Sequence, residues 1–355
     1  MTQIKSTPED FSESSVFEKE RVFSSAKRVR IGTRASQLAL WQAEWCASRL
    51  QEAGIEVEIV KMTASGDRPE TFSQPIAAGS AQGIFTKEIQ EALLRGTVDL
   101  AVHSLKDLPT ESVPGLHLAA VPERAPVEDV LVIGRSEETS RKFQKNREGR
   151  DFSVSSLADL PDGIVLGTSS LRRRAQLLAY AGKNFKRWEI RSIRGNLNTR
   201  LRKLDEGEYD VLILARAGVE RLEMTERISS VLSVEELFPA VSQGALGLET
   251  RIEDQATNQI IREILNEEPV FQCVLAERAM LKALDGGCAT PIGGLCRFDE
   301  EKQIFTIRGR VIAVDGRVWV ESELSGKNPV ELGEQLARVL IAHGADELIR
   351  EAREV

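Results

Sequence analysis

The sequence predicts an α/β protein in which two domains of similar topology face one another across a cleft, followed by a small α+β domain. Three observations point there. Short apolar runs alternate with helix-period segments over most of the chain, one strand-turn-helix grammar occurs twice, and the pattern changes past Phe271. At 355 residues the chain also exceeds what one hydrophobic core fills.

Val29 to Gly32 reads as a strand running into Thr33, Arg34 and Ser36, after which Leu38, Trp41 and Trp45 mark one helical face. Val57 to Met62 is the second strand. The Gly-, Ser- and Ala-rich stretch 65–83 carries no period and is long enough for a mobile functional loop. A helix from Phe85 to Arg95 closes at Gly96. Val98 to His103 is a buried strand ending in Ser104, Lys106 and Asp107, with Pro109 preventing its continuation. The grammar then returns. Ile164 to Leu166 leads into Gly167, Thr168, Ser169, Ser170 and a helix ending near Gly182, while Asp210 to Leu214 echoes Asp99 to Val102. Duplication explains the echo; so does the general likeness of strand-turn-helix units.

Glu123 to Glu128, beside Pro122 and containing Pro126, and the return from Pro239 to Gly247 form a paired hinge. Arg135 to Asp151, with ten charged residues in seventeen, reads as a surface loop inserted in the second domain. Beyond Phe271 a helix runs to Leu284. Strands Ile304–Val314 and Val318–Leu324 join at Asp315 and Gly316, and one last helix extends from Val330 to about Arg350. The expected boundaries are a flexible extension at 1–27, a first domain at 28–122 with 245–265, a second at 128–238 and a third at 268–355.

Apolar content of 41% and charged content of 29% are ordinary for a folded protein, and no run reaches the roughly 20 apolar residues that span a bilayer. Cys46, Cys273, Cys288 and Cys296 lack CxxC spacing and the three histidines are scattered, so neither a metal site nor a disulfide framework is expected. The Ser-rich N-terminus also carries Glu9, Asp10, Glu13, Glu18 and Glu20, unlike a transit peptide, and offers no secretory core. A cytoplasmic location follows as the expectation, and it counts against a solute receptor.

The net charge of −8 conceals a cationic island: between Gly167 and Arg221 stand 13 Lys and Arg against 6 Asp and Glu. A solvated helix face is the ordinary explanation. Nucleic acid fits poorly, because the chain is acidic and the island lacks interleaved aromatics. A small polyanion fits better. Thr33, Ser36, Thr168, Ser169 and Ser170 sit where strands hand over to helices, places suited both to ordinary caps and to anions. Arg34, Arg172 and Arg173 beside them add bidentate carboxylate binders, and Arg191, Arg194, Arg200, Arg216 and Arg221 continue the series. Asp107, at a strand's carboxyl end, is a cap, a surface ion-pair partner, or a carboxylate that stabilises a forming cation. Cys288 follows two glycines, so its thiol is a candidate attachment point, with no neighbouring His to make a nucleophilic pair.

The runs Ile31-Gly-Thr-Arg-Ala-Ser36, Leu38-Ala-Leu-Trp-Gln42, Phe85-Thr-Lys-Glu88 and Ala101-Val-His-Ser-Leu-Lys-Asp-Leu-Pro109 resemble the porphobilinogen deaminase (hydroxymethylbilane synthase) family. So do Gly167-Thr-Ser-Ser-Leu-Arg-Arg173, Arg194-Gly-Asn-Leu-Asn-Thr-Arg200, Pro239-Ala-Val-Ser-Gln-Gly-Ala245 and Gly286-Gly-Cys-Ala-Thr-Pro-Ile-Gly293. The resemblance covers nearly all the chain after residue 28. It implies two periplasmic-binding-protein-like domains plus a third, and a monomeric enzyme joining four porphobilinogen molecules head to tail with loss of ammonia. It implies a dipyrromethane cofactor on Cys288 through a thioether, held also by Ser104, Lys106, Ser169, Arg172, Arg173 and Arg194. Asp107 would be catalytic, and Arg34, Ser36, Gln42, Phe85, Arg200 and Arg221 would bind substrate. The chain departs from the family pattern at Gln37, where Pro is common, at Ser242, where Gly is common, and at Ala78 and Gln82, where some members carry Lys.

Overall fold

The structure, a computed structural model, describes residues 28–62, 86–144, 154–287 and 290–354. The first lobe opens with β1 (Arg28–Arg34), α1 (Gln37–Glu52), β2 (Glu56–Met62), α2 (Lys87–Leu94), β3 (Leu100–Ser104) and β4 (Leu116–Ala120). The chain crosses over and builds β5 (Asp129–Ile133), α3 (Glu137–Gln144), β6 (Val165–Gly167), α4 (Leu171–Lys183), β7 (Glu189–Arg191), α5 (Leu197–Asp205), β8 (Val211–Ala215), α6 (Arg216–Arg221) and β9 (Ser230–Val231). It returns to the first lobe with β10 (Leu246–Arg251) and α7 (Gln255–Leu265). The third unit is α8 (Glu268–Ala283), β11 (Ile292–Asp299), β12 (Ile304–Ile312), β13 (Trp319–Gly326), α9 (Pro329–Ala342) and α10 (Ala345–Arg353).

The two large sheets have one plan. Their orders are β2-β1-β3-β10-β4 and β7-β6-β8-β5-β9. In each, three parallel strands are followed by the strand that has crossed from the other lobe, antiparallel to its neighbours. Val, Ile and Leu fill these strands because both sheet faces are covered by helices. Val29, Ile31, Leu100 and Leu248 pack under Ala43, Cys46, Ala47 and Leu50 of α1. Leu166, Val211 and Ile213 pack with Leu177 of α4. The echo extends to polar detail: Asp99, just before β3, accepts the Arg30 backbone N–H at 3.0 Å, and Asp210, just before β8, accepts that of Val165 at 2.8 Å. The third unit is an antiparallel sheet, β11-β12-β13, against α8 and α9.

Three expectations change. Residues 137–144 form α3 rather than a loop: Arg141 pairs with Glu137 and Lys142 with Glu138 at i,i+4 spacing, Thr139 and Lys142 hold Asp210, and Phe143 is buried. The last helix is two, because Gly344 adopts φ 94° between α9 and α10. The Leu38, Trp41 and Trp45 stripe is only half buried, and the covered face of α1 is Gln42, Ala43, Cys46, Ala47 and Leu50. The loop 65–83, with Ala78 and Gln82, lies outside the described residues, as do Phe85 and Cys288.

Candidate active site

At the carboxyl end of β3, Leu105 is fully buried and its N–H donates to the Ala245 carbonyl at 3.0 Å. Leu105 thereby pins a single 3-10 turn over Leu105–Asp107 and leaves Asp107 exposed at the cleft. Arg278 fixes the exit by donating to the Leu108 and Pro109 carbonyls at 3.0 and 2.6 Å. Beside the turn, buried Gln42 donates to the Ser104 hydroxyl at 2.8 Å, so these two expected ligands are neighbours.

The second lobe meets this turn with the start of α4. Ser170 caps the helix, its hydroxyl accepting the Arg173 N–H. Arg172 and Arg173 then fall in the first turn, where the helix dipole disfavours cations. Asp129 offsets that. Fully buried at the start of β5, its carboxylate accepts from Arg172 and from Arg173, each at 2.7 Å, and from Gln243 at 2.9 Å. Burial alone would raise the Asp129 pKa; the two guanidiniums override it and hold the carboxyl well below the usual range. Arg172 also donates to the Phe238 carbonyl and Arg173 to that of Ile213. Both Nε atoms remain buried without a hydrogen-bond partner.

The two ends share one electrostatic environment. Burial pushes the Lys106 ammonium down to about 8, Asp107 and Asp129 oppose this, and Arg173 and Arg172 reinforce it. Arg200 is pushed down by burial and by Arg173, and held up by Asp107. Lys106 and Asp107 of one lobe therefore face Arg172, Arg173 and Arg200 of the other. Arg200 is positioned by donating from Nε to the Gly195 carbonyl at 2.7 Å. Gly195 turns at φ 114°, where a Cβ would lie 2.8 Å from the Thr199 methyl. Asn196 caps α5.

One family matches along this whole frame. A family model described as "Porphobilinogen deaminase, dipyromethane cofactor binding domain" matches residues 29–259, and "Porphobilinogen deaminase, C-terminal domain" matches 271–342. Proteins named porphobilinogen deaminase from Gloeobacter violaceus and Acidithiobacillus ferrooxidans are 44% and 40% identical. They align over 91% and 92% of this chain and 93% and 98% of their own. One from Syntrophotalea carbinolica is 42% identical over 92% of this chain and 96% of its own. The chain belongs to the porphobilinogen deaminase family. It is an enzyme of tetrapyrrole synthesis with that family's transferase-type reaction, hydroxymethylbilane synthesis, and it carries the family's dipyrromethane cofactor domain.

The residues fit such a cofactor, whose pyrroles bear carboxylates: two buried guanidiniums with unpartnered Nε donors adjoin a lysine whose charge is poorly solvated. Other members of the arginine series are placed differently. Arg191 pairs with Glu189, and Arg216 with Glu220 and Glu128, as on a solvated face. Arg221 is buried, lies 5.9 Å over the Trp41 ring of α1 and donates to the Gly244 carbonyl at 2.7 Å; burial pushes it down to about 10 and the nearby Cys46 thiol up to about 12. Arg34 ends β1 and Arg194 precedes the Gly195 turn, both half buried. Ser36 caps α1 through the Ala39 N–H, and Ser169 bonds the Ile193 backbone and the Ser192 hydroxyl.

Two departures from the family pattern have physical readings. Ser242 sits at φ 59°, with its buried hydroxyl unpartnered, which explains why glycine suits this position. Gln37 accepts a 2.8 Å hydrogen bond from Asn198 of the opposite lobe. Asp129 and Gln243 join this site without a local motif that marks them in the sequence. An acid opening an apolar strand is visible there; its pairing with arginines 43 and 44 positions away is not.

Proposed function

We propose that the chain joins four porphobilinogen molecules head to tail on a dipyrromethane anchored to Cys288. Each addition forms a carbon–carbon bond and releases ammonia, and hydrolysis frees the linear tetrapyrrole. When bound, dipyrromethane supplies the pyrrole carbon at which the first new bond forms. Lys106, Ser104, Ser169, Arg172, Arg173 and Arg194 hold its carboxylates and ring edges. Arg34, Ser36, Arg200 and Arg221 serve the acetate and propionate groups of substrate, with Gln42 and Phe85 lining the same cleft.

Asp107 is the catalytic carboxylate. It accepts the pyrrole N–H and stabilises the positive charge that spreads over the substrate ring as the carbon–nitrogen bond to ammonia breaks. Lys106 and the arginines offset the substrate's negative charges, so that Asp107 meets a cation held in place rather than a repelled polyanion. The observation that carries this reading is the exposed Asp107 set opposite Arg200 and Arg173 at the mouth of the cleft. The chain is proposed to act as a monomer in the cytoplasm.

The intact mass of purified protein is expected to exceed the sequence mass by one dipyrromethane, with the adduct on Cys288. Asp107→Ala should stay folded and lose turnover by about 100-fold or more. Active protein with unmodified Cys288, or near-normal turnover in Asp107→Ala, sinks the reading.

A further inference from the structure

Phe238 stands on the return crossing between the lobes and is fully buried. Its backbone belongs to the second lobe's arginine helix: the carbonyl accepts from Arg172 and, at 3.0 Å, from Gln176 Nε2, while the N–H donates to Gln176 Oε1 at 2.7 Å. Arg172 and Gln176 are one turn apart on α4, so Phe238 closes a ring of bonds against that turn. Its side chain belongs to the third unit. Arg308 and Arg310 of β12 lie over the ring at 5.0 and 5.1 Å. Glu321 pairs with both, and Glu235 with Arg308 at 2.6 Å.

The neighbouring strand β11 grips the same segment. The Gly294 N–H donates to the Pro239 carbonyl at 3.1 Å, and a Cβ on Gly293 would lie 2.7 Å from the Phe238 ring. Arg310 reaches past Phe238 to Gln176 at 3.1 Å. The β12–β13 turn also rests on α4, for a Cβ on Gly316 would fall 2.4 Å from the Ala179 nitrogen. In sequence, Cys288 lies four residues before Ile292, where β11 begins. The strand that follows the anchor in sequence and the Arg172 guanidinium are thus referenced to one dipeptide, Phe238–Pro239.

We propose that Phe238 is a positioning residue: gripped by the third unit, it sets the place of the Arg172 guanidinium relative to the domain that carries the anchor cysteine. It acts through Arg172 and touches no substrate. The inference rests on Arg172 binding carboxylates, as proposed above. Loss of the ring frees the segment from Arg308 and Arg310 while leaving the backbone carbonyl in the chain, so binding should weaken before folding does.

The test is a double-mutant cycle on holoenzyme with Phe238→Leu and Arg172→Lys, reading KM for porphobilinogen, kcat, the loaded fraction by intact mass, and the unfolding temperature. Phe238→Leu is expected to raise KM about 10-fold with kcat within about 2-fold, and to lower the loaded fraction. In the Arg172→Lys background it should add less than about 2-fold in KM. Independent, multiplying effects of the two changes overturn the inference, as does a lowered unfolding temperature with KM unchanged. Unchanged KM and loading in Arg172→Lys alone would instead remove the carboxylate role of Arg172. Should Phe238→Leu fail to fold, Arg310→Gln enters the same cycle with the same expectations.

Discussion

In the first lobe Leu246 of β10 stands opposite Ser104 of β3; in the second, Asp129 of β5 stands opposite Ala215 of β8. The lobes superimpose in register through Ile31 with Leu100 and Leu166 with Val211, so Leu246 and Asp129 fill one structural slot. The converse holds deeper in the sheets. His103 and Glu249 of the first lobe occupy the slots of Leu214 and Val132 in the second. There Glu249 accepts from Gln90 of α2 at 3.1 Å and meets His103 at 3.2 Å, all three buried. One backbone plan thus carries its buried charge in two places. Inside the first sheet, Glu249 ties α2 to the strand ahead of Asp107; at the cleft end of the second, Asp129 holds two guanidiniums side by side.

Giving the second lobe the first lobe's residue is the largest way to break this comparison. Asp129→Leu leaves two adjacent buried guanidiniums without a carboxylate, and should cost about 4 kcal/mol. Calorimetry should show unfolding lowered by roughly 5 °C, and intact mass a much reduced loaded fraction. Because the Asp129 pKa is depressed in the folded protein, its stabilisation is present above the unfolded value near 3.8 and is lost as pH falls toward the folded one. Unfolding and loading like the parent's would mean that Asp129 organises nothing.

The reciprocal exchange is smaller. His103→Leu strips Glu249 of one partner but leaves the Gln90 amide, and should cost about 2 kcal/mol. Adding Glu249→Val and Gln90→Leu makes the slot apolar, as in the second lobe, and should recover most of that loss. If the triple variant is less stable than the single one, the cluster contributes more than satisfied burial.

What could be read from sequence follows the range of the interactions. Lys106, Asp107, Arg172 and Arg173 were legible because each adjoins a strand end or helix start, a feature of a few consecutive residues. The order of the motifs, more than any one of them, supplied the family. Asp129 was not legible, since its meaning depends on β5 crossing between lobes to lie beside α4. Nor was α3, whose charged sequence looks like a loop until Asp210 gives Thr139 and Lys142 something to hold. Arg221 belongs by sequence to the cationic island, although tertiary contacts bury it between α1 and the return crossing.

The lobes also differ in whether their cations can be switched off. The second lobe offers Arg172, Arg173 and Arg200, which keep their charge across the working range; the first adds to Arg34 a lysine, Lys106, held down to about 8 by burial. Below about 8 the ammonium is charged in both folded and unfolded chains, and the folded state bears the burial penalty. Between about 8 and 10.5 the folded chain releases its proton first, so this group's contribution to stability improves as pH rises. Binding should move the opposite way. As the proton leaves, one cation of the proposed carboxylate site is lost, and KM should climb several-fold between pH 7 and 9.5 while the arginines keep binding from failing altogether. Lys106→Arg replaces the switchable cation by a permanent one and should flatten that climb. The comparison between the two variants isolates Lys106 from the substrate's own titrating groups, which both enzymes share. A climb equally steep in Lys106→Arg would show that the charge on Lys106 does not govern binding in this range, and that the arginines carry the carboxylates without it.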